Sequence, residues 1–363
     1  MTIPVLVLGI LIIWGMLSRK IFGTANHPVF LITALIVLLA MSSLRAPFVG
    51  ADTQNYIDRF NSQLTMTFDE IRTASSSYKD PVYVLSAWAF GKVIPNAQVW
   101  LGFTTLVFLA GVALVLYWES PDYSFSLIYL YCMGIFFFSI TGLRQAISMG
   151  ILMISYYFLV KRQLIPFALL VFLASRFHGA AIVFIIAYPI AMLRAGWIRM
   201  LIGIMVFIIV LLFRDTIGAW MIRAVPDALF DERLESYAAR TVRLNASGFI
   251  IQASMLVFCL RYRTEVVREV PHREALYNLA SIAIVFQACA MSIAEFFRVS
   301  NLFSWSYMLL IPICIQHETK RNKSYDLVRI TVMAALIACF FYSTIHNSGI
   351  VPYSFFWEKG ALQ

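Results

Sequence analysis

Apolar segments long enough to cross a bilayer recur along the whole chain, and no other feature narrows the possible folds as much. They are read roughly at 3–17, 28–44, 97–118, 123–140, 143–160, 164–176, 178–193, 198–213, 246–262, 275–294, 299–316 and 326–345. A hydrocarbon core of about 30 Å holds no water to satisfy backbone amides, so spanning segments must close their own hydrogen bonds, and runs of this length do so as helices. Composition agrees: 61% of the 363 residues are hydrophobic and 13% are charged, against about 25% charged in a soluble domain. The expected fold is an all-α integral membrane protein of about 12 transmembrane helices, one polytopic bundle over residues 1–363.

Two segments fit that pattern less well. The run 164–176 is too short to cross perpendicular to the membrane, which suggests a broken helix. Pro81 to Ile94 is apolar but short, bounded by Asp80-Pro81 and Ile94-Pro95-Asn96, and reads as a re-entrant or surface-lying helix. The first run, Ile3 to Leu17, has no basic residue before it and is closely followed by a second span, so it is expected to be retained rather than removed as a signal peptide.

Orientation follows from the short loops. Arg19-Lys20, Lys161-Arg162, Arg194 with Arg199, the cluster Arg261, Arg263, Arg268 and Arg273, and Lys320-Arg321-Lys323 fall on one side. Basic residues collect on the cytoplasmic side, so both termini and two longer polar loops, about 45–80 and 214–245, are expected outside, facing the periplasm. The second loop mixes basic and acidic residues in a way that suits a lid. The acidic stretch Glu119 to Asp122 would be cytoplasmic and runs mildly against the pattern.

Much of the net charge of +9 sits in these loops, and no Lys/Arg block is interleaved with aromatics, so nucleic acid is not an expected partner. The five cysteines, Cys132, Cys259, Cys289, Cys314 and Cys339, lie inside apolar runs without CxxC spacing and read as packing residues. HExxH, Walker and GxSxG patterns are lacking and the five histidines are scattered, so neither a metal nor a cofactor is expected.

Gly50-Ala51-Asp52-Thr53-Gln54-Asn55-Tyr56 is a polar cluster between two apolar stretches. Asp and Asn pair with sugar hydroxyls, and Tyr offers a flat apolar face with a polar tip; the bland reading is a loop with a helix cap. Ionisable residues recur at the outer ends of other spans: Arg144 with Gln145, Arg176 and His178, and Glu295 with Arg298. Each alone could be a snorkelling arginine or an ion pair. Together with Asp52 they suit a lipid pyrophosphate, because guanidinium binds phosphate bidentately.

These motifs resemble the EpsG family of Wzy-type O-antigen and exopolysaccharide polymerases. The resemblance rests on GADTQNY in the first outer loop, on Gly142-Leu143-Arg144-Gln145-Ala146-Ile147-Ser148, on Phe177-His178-Gly179-Ala180, and on the aromatic ending Pro352-Tyr353-Ser354-Phe355-Phe356-Trp357. Asp80-Pro81-Val82-Tyr83 stands where many relatives have a Glu-Pro-Gly-Phe-like sequence. The resemblance implies a GT-C-like bundle in the bacterial inner membrane. It implies transfer of a growing glycan from undecaprenyl pyrophosphate to the non-reducing end of a lipid-linked repeat unit, and it admits a chain-length regulator as a further partner.

In that chemistry Arg144, Arg176 and Arg298 would bind the pyrophosphate, and Asn55, Tyr56, Gln145 and Asp80 the sugar. Asp52 or His178 would act as base, with Asp52 ahead. Two other classes remain open: a lipid-linked oligosaccharide flippase, and a GT-C transferase using a lipid-monophosphate sugar donor.

The topology predicts that single cysteines at positions 60 and 235, in a Cys-free background, react with an impermeant thiol reagent from outside, and that one at 265 does not. Labelling at 265 alone would invert the orientation.

Overall fold

The computed structural model describes residues 2–76, 80–194, 196–224, 246–321, 325–344 and 349–358. Among them there is no β-strand, only one isolated bridge between Arg45 and Phe355. Three helices are long and apolar enough to cross a membrane, or up to five if each of two bent pairs counts as one span, and six shorter apolar helices accompany them. The chain divides into two compact units, residues 1–154 with 176–178 and 326–363, and residues 155–175 with 179–325.

In the first unit, α1 (Thr2–Phe22), α2 (Pro28–Ser43), α6 (Ala97–Glu119) and the start of α9 (Leu143–Val160) carry the longest apolar runs. At 1.5 Å per residue the 21 residues of α1 cover roughly the 30 Å of a hydrocarbon core. Its outward residues Leu6, Ile10, Ile13, Met16 and Ile21 are exposed hydrophobics, the surface that lipid would cover. Where α6 meets α9, glycines let the backbones touch: a Cβ on Gly111 would lie 2.7 Å from Gly150 Cα. Close approach through small residues is how helices gain dispersion energy in lipid, where no hydrophobic force drives them together.

The expected span 123–140 is two helices, α7 (Tyr123–Cys132) and α8 (Ile135–Thr141), bent by 55° at their junction. Gly134 there has φ +78°, a left-handed conformation that only glycine adopts readily.

The first polar loop, 45–80, is itself largely helical. It contains α3 (Thr53–Gln63) and α4 (Phe68–Ser76), packed on α5 (Pro81–Val93). A reciprocal cap starts α4: Thr67 N–H donates to Glu70 Oε2 at 2.7 Å, and Glu70 N–H to Thr67 Oγ1 at 3.4 Å, the S/T-x-x-E signature. From α5, Lys92 Nζ donates to Leu64 O at 2.8 Å and Trp88 Nε1 to Met66 O at 3.0 Å, supplying carbonyls beyond the end of α3. Phe60 is only 1% exposed, so position 60 is a poor site for the labelling test. Exposed Asn61 replaces it, and position 235 lies outside the described residues.

One end of this unit is pinned by Asp122. Its Oδ2 lies 2.6 Å from Arg19 Nη2 and 3.3 Å from Arg329 Nη2, and its Oδ1 accepts from Phe125 N–H at 3.1 Å. The carboxylate that disagreed with the loop charges thus holds two of the arginines beside it. The ends of α1, α6, α7 and the later α18 (Tyr325–Cys339) meet there, as their alternating directions require.

The second unit contains α10 (Leu164–Phe177) as far as Ser175, a 3₁₀ stretch Gly179–Ile186, α11 (Ile198–Leu212), α12 (Arg214–Ala224), α13 (Ser247–Leu260), α14 (Arg263–Glu269), α15 (Glu274–Cys289), α16 (Phe296–Ser304) and α17 (Tyr307–Arg321). The α10 segment is one continuous helix, not the broken one its length suggested. Pro166 causes no break because it lies in the first turn, where a missing N–H costs nothing. The basic loop residues are not merely solvated either. Glu274, 1% exposed, pairs with Arg199 and, at 2.7 Å, with Arg263, while Arg199 Nε donates to Asn278 Oδ1 at 2.9 Å. Removing one member of such a buried group costs about 3–5 kcal/mol. The lid suggested for 214–245 lies largely outside the described residues.

Gly150→Leu is expected to lower the thermal midpoint of the detergent-solubilised protein by several degrees, because the α6–α9 contact cannot open without cost. Gly9→Leu, with nothing within 4 Å of an added Cβ, is the control. Equal midpoints for the two variants would refute the contact.

Candidate functional site

The Gly50–Tyr56 cluster forms a corner leading into α3. Gly50 has φ +93°, and a Cβ there would meet Thr53 Oγ1 at 2.8 Å, so the corner needs glycine. Thr53 is buried and its hydroxyl donates to Val49 O at 2.7 Å. Asp52 follows at the N-cap of α3. Aspartate is among the best capping residues, yet this carboxylate makes no bond to its helix and is exposed.

Asp80 repeats the pattern at the N-cap of α5, ahead of Pro81, again without a capping bond. Its carboxylate, 3% exposed, accepts instead from Arg144 Nη1 at 2.6 Å. Asn96 and Asp122 behave otherwise, for both accept backbone N–H groups of the helices they precede. The two carboxylates singled out by the sequence therefore withhold the capping role their positions offer.

Aromatic rings floor the corner. Tyr56 meets Tyr83 edge-on with centroids 6.0 Å apart, and Trp100 Nε1 donates to Tyr83 Oη at 3.3 Å. Phe60 and Phe90 pack on Trp100 at 6.1 and 5.2 Å. Asn55 is exposed on α3 and Gln145 is buried on the first turn of α9.

Arg176 is exposed and has no ion pair among the described residues, while His178 is buried. Both belong to the first unit, apart from the chain on either side of them. The structure thus gathers Asp52, Asn55, Tyr56, Asp80, Arg144, Gln145, Arg176 and His178 in one unit. Arg298 belongs to the other and pairs at 2.7 Å with Glu295, three residues earlier, the structural arrangement its helical spacing allowed.

Sequence reading missed Arg45. It is 0% exposed. Its Nε donates to Thr53 Oγ1 at 3.2 Å, Nη1 to Ser42 O and to Ser42 Oγ at 3.1 Å, and Nη2 to Ile140 O at 3.0 Å. No carboxylate is among these partners, and burial lowers its pKa to about 10, partly offset by nearby tyrosines, Tyr353 first. A signal was available: on the orientation expected from the loop charges, this is a basic residue on the side where the rule disfavours one. Around it the C-terminal tail closes the corner. Ala46 N–H donates to Ser354 O at 2.9 Å, Phe356 N–H to Leu44 O at 3.0 Å, Gly50 N–H to Gly349 O at 2.9 Å, and Tyr353 Oη to Met41 O at 2.6 Å. Beside the tail an apolar groove of about 520 Å³ runs between Leu39, Phe90, Val99, Phe103, Leu106 and Phe356.

A family model described as the EpsG family matches residues 29–355, a stretch that includes the corner, the ion pair and most of the tail. No curated protein and no solved structure matches the chain.

The Asp80–Arg144 pair is testable by a double-mutant cycle with Asp80→Asn and Arg144→Gln, read by chemical unfolding in detergent. A coupling of about 1.5–3 kcal/mol is expected for a charge-assisted bond this buried. Additive single effects would remove the pair from the site.

Proposed function

The chain belongs to the EpsG family, and on that premise we propose that it is a polysaccharide polymerase of the bacterial inner membrane. It transfers a growing glycan from undecaprenyl pyrophosphate to the non-reducing end of a lipid-linked repeat unit. The site faces the periplasm, in a GT-C-like bundle of about twelve spans. One observation carries the reading: at Asp52 an exposed carboxylate with no capping role stands on a corner that also holds Tyr56, in the unit that contains the Asp80–Arg144 pair.

In the reaction the acceptor hydroxyl oxygen bonds to the anomeric carbon of the donor glycan, and the bond from that carbon to the pyrophosphate oxygen breaks. The leaving group takes the electron pair, and the hydroxyl proton passes to a base. Asp52 is the first candidate, being exposed and uncommitted; His178, which is buried, is the second. Arg144 and Arg176 meet the charge that develops on the pyrophosphate. Asp80, expected on a sugar hydroxyl, serves better by fixing the plane of the Arg144 guanidinium. Asn55, Tyr56 and Gln145 hold the sugar, and the 520 Å³ groove suits the isoprenoid tail. Arg298 is left out of this site.

A strain lacking the protein should lose its polysaccharide ladder and retain a single capped repeat. Arg144→Ala should do the same while still reaching the membrane, and Arg144→Lys should restore it only partly, because a point charge cannot make paired bonds. Asp52→Asn should slow chain growth about 10²- to 10⁴-fold. Wild-type ladders from Arg144→Ala would refute the pyrophosphate assignment. Near-normal growth by Asp52→Asn beside a dead His178→Ala would move the base to His178.

A further inference from the structure

We propose that Arg45 is the positioning residue of this site: its buried guanidinium holds the Asp52 corner and the start of the Arg144 helix in one register. The inference rests on the polymerase reading above and adds a residue to it. Three structural parts converge on one side chain. Nε reaches Thr53, next to Asp52; Nη2 reaches Ile140, four residues before Arg144; and Nη1 reaches Ser42 at the end of α2. Ser42 Oγ is in turn 2.6 Å from Thr105 Oγ1 on α6, and Gln98 Nε2 donates to Arg45 O at 2.9 Å.

Chain stability alone explains this arrangement poorly. A cation withdrawn from water without a carboxylate is costly, and an uncharged amide could tie two of the same oxygens more cheaply. What an amide cannot do is reach three directions at once from a single rigid plane. The planar fork sets the angle between the corner and the α8–α9 junction. A rotation of either would carry Asp52 or Arg144 off line by a distance that matters for transfer, since about 1 Å of misplacement can cost 10²-fold in rate.

The test uses the full-length protein in membranes and, as substrate, the lipid-linked repeat units that accumulate in the host strain deleted for it. Initial chain-growth rates are measured against repeat-unit concentration for Arg45→Lys, Arg45→Gln and Thr53→Val, alongside the thermal midpoint of each variant. Arg45→Lys should lose about 10- to 100-fold in kcat with KM changed less than about 3-fold and the midpoint little altered, and Arg45→Gln should be slower still. Thr53→Val, nearly the same shape, removes the hydroxyl that meets Nε, together with its own bond to Val49 O, and leaves Arg45 in place, so it keeps the test open if the Arg45 variants fold poorly. It should lose several-fold in kcat at unchanged KM.

Wild-type kcat in Thr53→Val or Arg45→Lys, or losses that merely track the amount of folded protein, would overturn the assignment. Failure of the polymerase reading looks different, for then Arg144→Ala makes normal ladders. A dead Arg144→Ala beside a normal Arg45→Lys rejects the positioning role alone.

Discussion

A charged side chain taken out of water must find partners, and in this protein that requirement decides where helices begin, end and meet. Each buried charged group described above lies at or just beyond a helix end. Asp122 gathers Arg19 and Arg329 at one end of the first unit, and Asp80 takes Arg144 while Arg45 ties three elements elsewhere in it. Glu274 does the same for Arg199 and Arg263 in the second. Between these anchors packing is non-directional, made of aliphatic contact and of glycines such as Gly111 and Gly150 that let backbones touch. Direction and register come from the polar ends.

This explains what the sequence disclosed and what it hid. Several apolar runs became helices close to the expected limits, for example 97–118 against Ala97–Glu119, whereas 178–193 opens as a 3₁₀ stretch and 299–316 is split by a 43° bend between α16 and α17. The breaks were harder to foresee. Gly134 bends one run by 55° although nothing in hydropathy marks it, whereas the short run 164–176, expected to be broken, is continuous through Pro166. That the 45–80 loop is itself helical was not visible, because α3 and α4 are amphipathic and short. Their apolar residues, Phe60 and Ile71 among them, bury against α5, a partner visible only in three dimensions.

The site was legible in part for the same reason. Asp52, Asp80 and Arg144 stand out as polar residues beside apolar runs, and the structure shows that the two carboxylates sit at cap positions without capping while Arg144 pairs with one of them. Arg45 was passed over because its importance is relational. Read along the chain it is one more arginine at a helix end; its partners Thr53 and Ile140 are 8 and 95 positions away. Arg298 is the contrasting case, conspicuous in sequence and paired in the structure with a residue three positions earlier.

The tail that closes the corner places a constraint on biosynthesis. Tyr353 reaches Met41 across 312 positions of sequence, so the Asp52 corner is synthesised long before the tail that covers it exists. At translation rates of about 5–20 residues per second, that interval is roughly 15–60 s. During it the Asp52 corner is made but uncovered. The geometry around Asp52 is completed only as the last segment docks, so a product truncated ahead of Gly349 would lack every bond that closes the corner.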